Sequence, residues 1–213
     1  MHMKTGATEK TGATEKRKTE ANPIKIISTQ EVARSRNLAG QGVKPSQLRR
    51  LVASGHVERV GRGLYRAKEA EVTEHHTLLQ AALLVPKGVV CLLSALRFHD
   101  LTTQAPFEVW MAIENKSWRP TTSDVPLRIH YFSGRALTEG VELREIEGVP
   151  VKIYSAAKTV ADCFKFRNKI GIDVAIEALR DYLRKRMPEK DLLRYADICR
   201  VRNVIYPYLE ALQ

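Results

Sequence analysis

The chain is short of nearly everything that would mark a secreted scaffold, a membrane protein or a familiar enzyme. Its 213 residues hold only three cysteines, Cys91, Cys163 and Cys199, far apart and without a C-x-x-C pair. An odd, unpaired set argues against a disulfide framework and a structural zinc site. These thiols are expected reduced, in the core of a cytoplasmic protein. No apolar run approaches the roughly 18 residues that begin to read as a membrane span, and no signal peptide opens the chain. P-loop, G-x-G-x-x-G, G-x-S-x-G and H-E-x-x-H strings are all missing. The sequence therefore assigns no catalytic residue, no metal and no cofactor.

Acidic residues are also scarce, and unevenly so. The formal charge is +11. Residues 24–70 carry ten Lys/Arg against three Asp/Glu, or +7; residues 71–150 carry seven against ten, or −3. Residues 151–213 carry thirteen against eight, or +5, and residues 1–23 five against three, or +2. Solubility alone does not require such clustering, and its concentration in residues 24–70 supports a polyanionic partner.

The densest part of the positive segment is Lys44–Arg66, KPSQLRRLVASGHVERVGRGLYR. Pro45 suits a first helical turn, where its missing N–H is not needed. Leu48, Leu51 and Val52 recur at i, i+3 and i+4 and predict a buried stripe. Gly55 then stops the helix in a left-handed conformation. Val57–Val60 and Leu64–Arg66 read as strands around a Gly61-Arg62-Gly63 tip. The outline is a recognition helix followed by its wing. Lys44, Ser46, Gln47, Arg49 and Arg50 project from the helix, and Arg59, Arg62 and Arg66 from the wing. Arg can bridge guanine O6/N7 and Gln adenine N6/N7 in the major groove, while basic loop residues neutralise phosphates. An ordinary helix and hairpin with a solvated basic face would use the same letters.

Around this segment the chain divides into three. Residues 1–23 contain the hexapeptide TGATEK twice, at Thr5–Lys10 and Thr11–Lys16, have almost no apolar residues and are expected to be disordered. Met1-His2 ahead of Met3 resembles a cloning scar. Residues 24–70 form the expected winged helix-turn-helix, its first helix running from Ser28 or Thr29 to about Leu38 with Val32 inward. A further apolar helix normally precedes such a pair, and only Ile24, Ile26 and Ile27 are there to make one. The module is therefore expected to lean on the rest of the protein. Residues 71–213 read as a mixed α/β domain with a helical end, so the class is α+β. Helix is expected at Glu74–Val85 and from Ser94 to His99, and strands at Phe107–Ile113 and Leu127–Phe132. A hairpin of Val141–Ile146 and Val149–Tyr154 turns on Glu147-Gly148. Helices follow at about Ser155–Arg167, Ile172–Arg186, Glu189–Arg200 and Val201–Leu212.

Several polar clusters have residue types that could bear chemistry. His75 and His76 are adjacent and would point about 100° apart on a helix, which does not suit a shared metal. His99-Asp100 reads as a helix end, and His130 has no partner nearby in sequence. Glu145, Glu147 and Lys152 faintly resemble a metal-dependent nuclease core, the one enzymatic alternative, with the winged module as its targeting device. Lys158, Lys165, Arg167 and Lys169 make a second basic cluster, and Arg180, Arg184, Lys185 and Arg186 a third. Either is a solvated helix face or a second nucleic-acid surface.

The strings GRGLYR (Gly61–Arg66), LLSALRFHDLT (Leu92–Thr102), VWMAI (Val109–Ile113), SAAKTVADCFKFRNKIG (Ser155–Gly171) and AIEALRDYL (Ala175–Leu183) together resemble the AbiEi antitoxins of bacterial abortive-infection, type IV toxin–antitoxin systems. The likeness runs from about Ile24 to Tyr182. It implies a non-enzymatic repressor that binds promoter repeats of its own operon. It also implies an antitoxin that counteracts a nucleotidyltransferase-like toxin without forming a stable complex. By the same resemblance the N-terminal module binds double-stranded DNA and the C-terminal domain carries the antitoxic role; the basic cluster Lys158, Lys165, Arg167 and Lys169 is a candidate surface either for that role or for a second nucleic-acid contact. Two copies per operator are expected, since winged modules often occupy paired half-sites.

Overall fold

The computed structural model describes residues 22–28, 32–61, 63–68, 73–117 and 125–212. The expected disordered tail, the Arg62 tip and most of the polar Glu114–Asp124 loop lie outside these residues. The rest is a mixed α+β structure with two sheets.

Helix α1 (Pro23–Ser28) opens the fold. Pro23 sits where no N–H is required, and Asn22 Oδ1 accepts the Ile24 N–H at 3.1 Å. Its Ile27 is fully buried. The three isoleucines thus do build a leading helix. The single helix expected from Ser28 to Leu38 does not form. The chain instead passes through β1 (Ala33–Arg34) before α2 (Ser35–Gly40). What overrides local helix pattern there is pairing: Ala33 and Arg34 lie antiparallel to Tyr65 and Leu64. Val32 is buried, as expected.

Helix α3 (Pro45–Ala53) begins at the expected proline. Gly55, at φ +74°, follows it in the left-handed region, where a β-carbon is costly. Strands β2 (Val57–Gly61) and β3 (Leu64–Ala67) then pair antiparallel, with a register shift between Arg59 and Gly61. The sheet order is β1-β3-β2. Ile27, Ala33, Leu38, Val43, Leu48, Val57 and Ala67 form the small core of this part. Val52, expected in the buried stripe, is instead 36% exposed.

The larger sheet has the order β6-β5-β4-β8-β7. It comprises β4 (Val89–Val90), β5 (Val109–Glu114), β6 (Leu127–Phe132), β7 (Val141–Ile146) and β8 (Val149–Tyr154). β4 is antiparallel to β5 and parallel to β8; β5–β6 is parallel and β7–β8 antiparallel. Both faces of the central strands are buried, so alternation there sorts residues between two cores rather than between core and water. Val109, Met111 and Ile113 face one side with Val151 and Ile153, under α4 (His76–Leu84) and the small hairpin. Trp110 and Ala112 face the other with Tyr154. That side is covered by α5 (Leu92–Phe98), α7 (Ala156–Lys165), α9 (Ile172–Arg184), α10 (Glu189–Cys199) and α11 (Arg202–Leu212). Two one-turn helices, α6 (Arg135–Thr138) and α8 (Arg167–Ile170), complete the order.

Helix α7 occupies the middle of that layer. Ser155 caps it, its Oγ accepting the Lys158 N–H at 3.3 Å. Every residue from Ala157 to Phe164 is buried. Among the described residues no helix is long and apolar enough to cross a membrane.

Candidate nucleic-acid interface

The outer face of α3 carries Ser46, Arg49 and Arg50, all exposed, with Lys44 exposed at its N-cap. Neither guanidinium has a partner among the described residues. Leu48 anchors the opposite face at 3% exposure. Two long cations are thereby held outward on a helix fixed from behind. Gln47 is less free than the sequence implied, because its Oε1 accepts the Lys44 backbone N–H at 2.8 Å. It caps the first turn, and reading a base would require it to exchange that bond. At the other end Ser54 Oγ donates to Leu51 O at 3.1 Å and lies 2.9 Å from His56 Nδ1.

In the hairpin, Arg59 is exposed and its Nε donates to Gly61 O at 3.2 Å. The tip is tied back onto α2, with Ser35 N–H donating to Gly63 O at 2.8 Å. A β-carbon on Gly63 would come within 2.9 Å of Ser35 Oγ, so this glycine permits a close approach as well as a positive φ.

Arg66, expected to grip phosphate, points the other way. It is only 6% exposed. It is ion-paired with Glu58 on the facing strand, and its Nη1 donates to Glu147 Oε2 at 3.1 Å. Glu147 also lies 2.9 Å from His76 Nδ1 and accepts the Thr73 N–H at 3.2 Å and hydroxyl at 3.0 Å. Burial pushes the Glu147 carboxyl up; the bonds from His76 and Thr73 outweigh it and hold the group below its usual range. Arg66 is thus a docking residue, removed from the outward set because the strand alternation that exposes Arg59 turns Arg66 inward. The same geometry occupies Glu147, leaving Glu145 exposed beyond the turn. Among the described residues no three His, Cys, Asp or Glu side chains converge as metal ligands.

Of the second basic cluster, Lys165 and Lys169 are exposed and Arg167 is half-buried, its Nη1 donating to Phe164 O at 2.9 Å. Lys158 is fully buried: its Nζ reaches Asp162 at 2.6 and 2.5 Å and lies 4.2 Å from the Tyr154 ring centre. It too leaves the candidate surface, because α7 is covered on every side. Cys199 Sγ completes this pocket at 3.2 Å from Asp162 Oδ1. Burial raises the Asp162 carboxyl, against the lowering effect of Lys158. All three cysteines are buried and free, as expected.

Arg34 and Arg36, on β1 and α2, are two exposed cations not singled out from the sequence. They flank the Gly63 tip in a cavity of about 570 Å³ between α2, the hairpin and β8. The R-x-R spacing was the available signal. It was hidden because the segment reads as the interior of one helix.

Fold and surface together define a mixed α+β protein with a small basic helix-and-hairpin unit seated on a larger sheet. Residues 24–68, which form that unit, match the AbiEi_4 family model, described as "Transcriptional regulator, AbiEi antitoxin". No curated protein matches the chain. The family match is compatible with a winged helix and carries a transcription-regulation and antitoxin context for this segment.

Proposed function

We propose that the chain is a sequence-specific DNA-binding repressor, the antitoxin of a type IV toxin–antitoxin system that autoregulates its operon and counteracts a nucleotidyltransferase-like toxin. In this reading residues 24–70 are a winged helix-turn-helix and residues 71–213 the antitoxic domain, acting in the cytoplasm with two copies on promoter repeats. α3 enters the major groove; Arg49, Arg50 and, on release of its cap, Gln47 meet base edges. Lys44, Ser46, Arg59 and Arg62 meet phosphates. Lys165, Arg167 and Lys169 form the second surface.

The observation that carries this is the Arg49–Arg50 face, unpaired among the described residues, on an anchored helix, inside the segment that matches a regulator family. Arg49→Ala with Arg50→Ala is expected to abolish promoter shifts. It should change unfolding free energy by less than about 0.5 kcal/mol per site, as for exposed positions away from packing. Normal promoter affinity in the folded double variant would rule α3 out as the reading helix.

A further inference from the structure

The five-stranded sheet ends on β7, whose outer edge has no partner among the described residues. Which backbone groups lie on that edge follows from the hairpin. Its two-residue turn makes Ile146 and Val149 a hydrogen-bonded pair, and bonded and unbonded pairs alternate from there. Arg144–Val151 and Glu142–Ile153 are therefore bonded, and Glu145–Pro150, Leu143–Lys152 and Val141–Tyr154 are not. Pro150, which has no N–H, duly falls on an unbonded position. Ser155 N donates to Gly140 O at 2.7 Å, in step with the same alternation. The N–H and C=O groups of Val141, Leu143 and Glu145 consequently point outward.

This edge lacks the usual defences. An open strand edge is normally blunted by proline, lysine, a bulge or extreme shortness. VELREI runs six residues with neither proline nor lysine, and its register with β8 is unbroken. Leu143, near its centre, is 68% exposed. Glu142 and Arg144 share the other face, where Arg144 Nε donates to Glu142 Oε2 at 3.1 Å.

The order of these residues is self-complementary. Three antiparallel registers of β7 on a second β7 set outward residues opposite each other near mid-strand, centred on Glu142, Leu143 or Arg144. Centring on Glu142 or Arg144 places two like charges directly opposite, which is destabilising. Centring on Leu143 places Leu143 against its copy and each Glu142 against the Arg144 of the other strand. That register also pairs every outward residue, Leu143 with its copy and Val141 with Glu145, with two hydrogen bonds to each pair.

We propose that two copies of this chain associate through antiparallel β7 edges centred on Leu143, joining their five-stranded sheets into one. Residues directly opposite share a face of the sheet. The helix layers of both copies therefore lie on one side and both helix-and-hairpin units on the other, where a single duplex with two repeats can meet both. The surface belongs to the larger sheet and does not rest on DNA binding.

Sedimentation equilibrium of the intact protein without DNA tests this. The protein should pass from monomer to dimer with rising concentration, below about 0.5 mM. Glu142→Arg and Arg144→Glu each set like charges opposite across the joined edges and should each weaken association roughly tenfold or more. They change net charge in opposite directions, so a shared loss is not a net-charge effect. An equimolar mixture of the two variants again sets acid against base at both positions. It should restore dimers to within about threefold of the original affinity, as should the double variant. Leu143→Pro removes an outward N–H that β8 does not use. It should also weaken association roughly tenfold or more, with circular dichroism verifying that each variant is folded.

A protein that stays monomeric to about 0.5 mM overturns the proposal. So does a dimer indifferent to both single reversals, or a mixture no better associated than its two components. Because no DNA is present, each of these failures is distinct from a failure of the repressor reading.

Discussion

Glu147 sits in a tight turn at φ +50°, in the left-handed region that few side chains other than Asn and Asp favour. Its carboxylate is nonetheless buried, because Arg66, His76 and Thr73 all reach it. Glu147→Gln should lower stability by about 2–3 kcal/mol, in the range for hydrogen bonds to charged groups. Glu58→Gln, on the solvent side of the same arginine at 43% exposure, should cost under about 1 kcal/mol, as for exposed pairs. Urea titration of both variants checks the order, and equal costs would mean that Arg66 is not anchored through Glu147. Because the folded carboxyl lies below its ordinary value, its contribution is complete above about pH 4.3 and is lost as pH falls through the folded value. His130 acts in a higher window. It is packed flat on Trp110 at 4.9 Å with no partner for its Nε2 among the described residues, and burial pulls its pKa down to about 4. The unfolded imidazole, near 6.5, therefore takes a proton first, and stability declines as pH falls from about 6.5 to about 4. His130→Phe should flatten that slope in acid titrations of Tm; an unchanged slope would place its origin elsewhere.

Among the elements, α7 shows how burial redirects charge. Its residues alternate as an amphipathic helix would, yet sheet, α5, α9 and α10 surround it, so Lys158 and Asp162 face each other at i, i+4 inside the core. Removing one partner would leave a buried charge uncompensated, so Lys158→Glu tests folding rather than any surface. The cap of this helix can be tested separately. Ser155→Ala deletes the acceptor for the Lys158 N–H and should cost about 1 kcal/mol by denaturant titration; no loss would mean the turn after β8 holds the helix start unaided. For α3 the converse holds. One anchored apolar face leaves its arginines outward, so changes to them belong in binding assays.

At the scale of the whole molecule, the small unit is fastened to the sheet by more than its linker. Val32 and Leu64 pack in the same cluster as Ile146, Val149 and Val151, and Arg66 reaches Glu147 from beneath. Among the described residues its own core has seven buried apolar side chains, too few to expect independent stability in so short a segment. A chain limited to residues 22–68 should therefore show no cooperative thermal transition by circular dichroism, while the intact protein does. A sharp transition in the fragment would show that docking is dispensable to the fold.

Local periodicity was enough to place most elements. Leu127–Phe132, Val141–Ile146 and Val149–Tyr154 are strands at the expected bounds, Glu147-Gly148 is their turn, and Ser155, Pro45 and Gly55 mark helix ends as their chemistry demands. Charge clustering likewise marked the basic amino-terminal segment before any fold was in view. What the chain alone did not decide is which charges face water. Arg59 and Arg66 are equivalent letters in one hairpin, and Lys158 and Lys165 in one helix. Strand alternation puts Arg66 on the face opposite Arg59, and what covers that face, Glu147 among it, is 81 residues away; Lys158 differs from Lys165 by the helices laid across α7. Short-range pattern sets the backbone because its hydrogen bonds close within a few residues. The fate of a cation depends on desolvation by partners distant in sequence, and only the tertiary structure brings those partners to it.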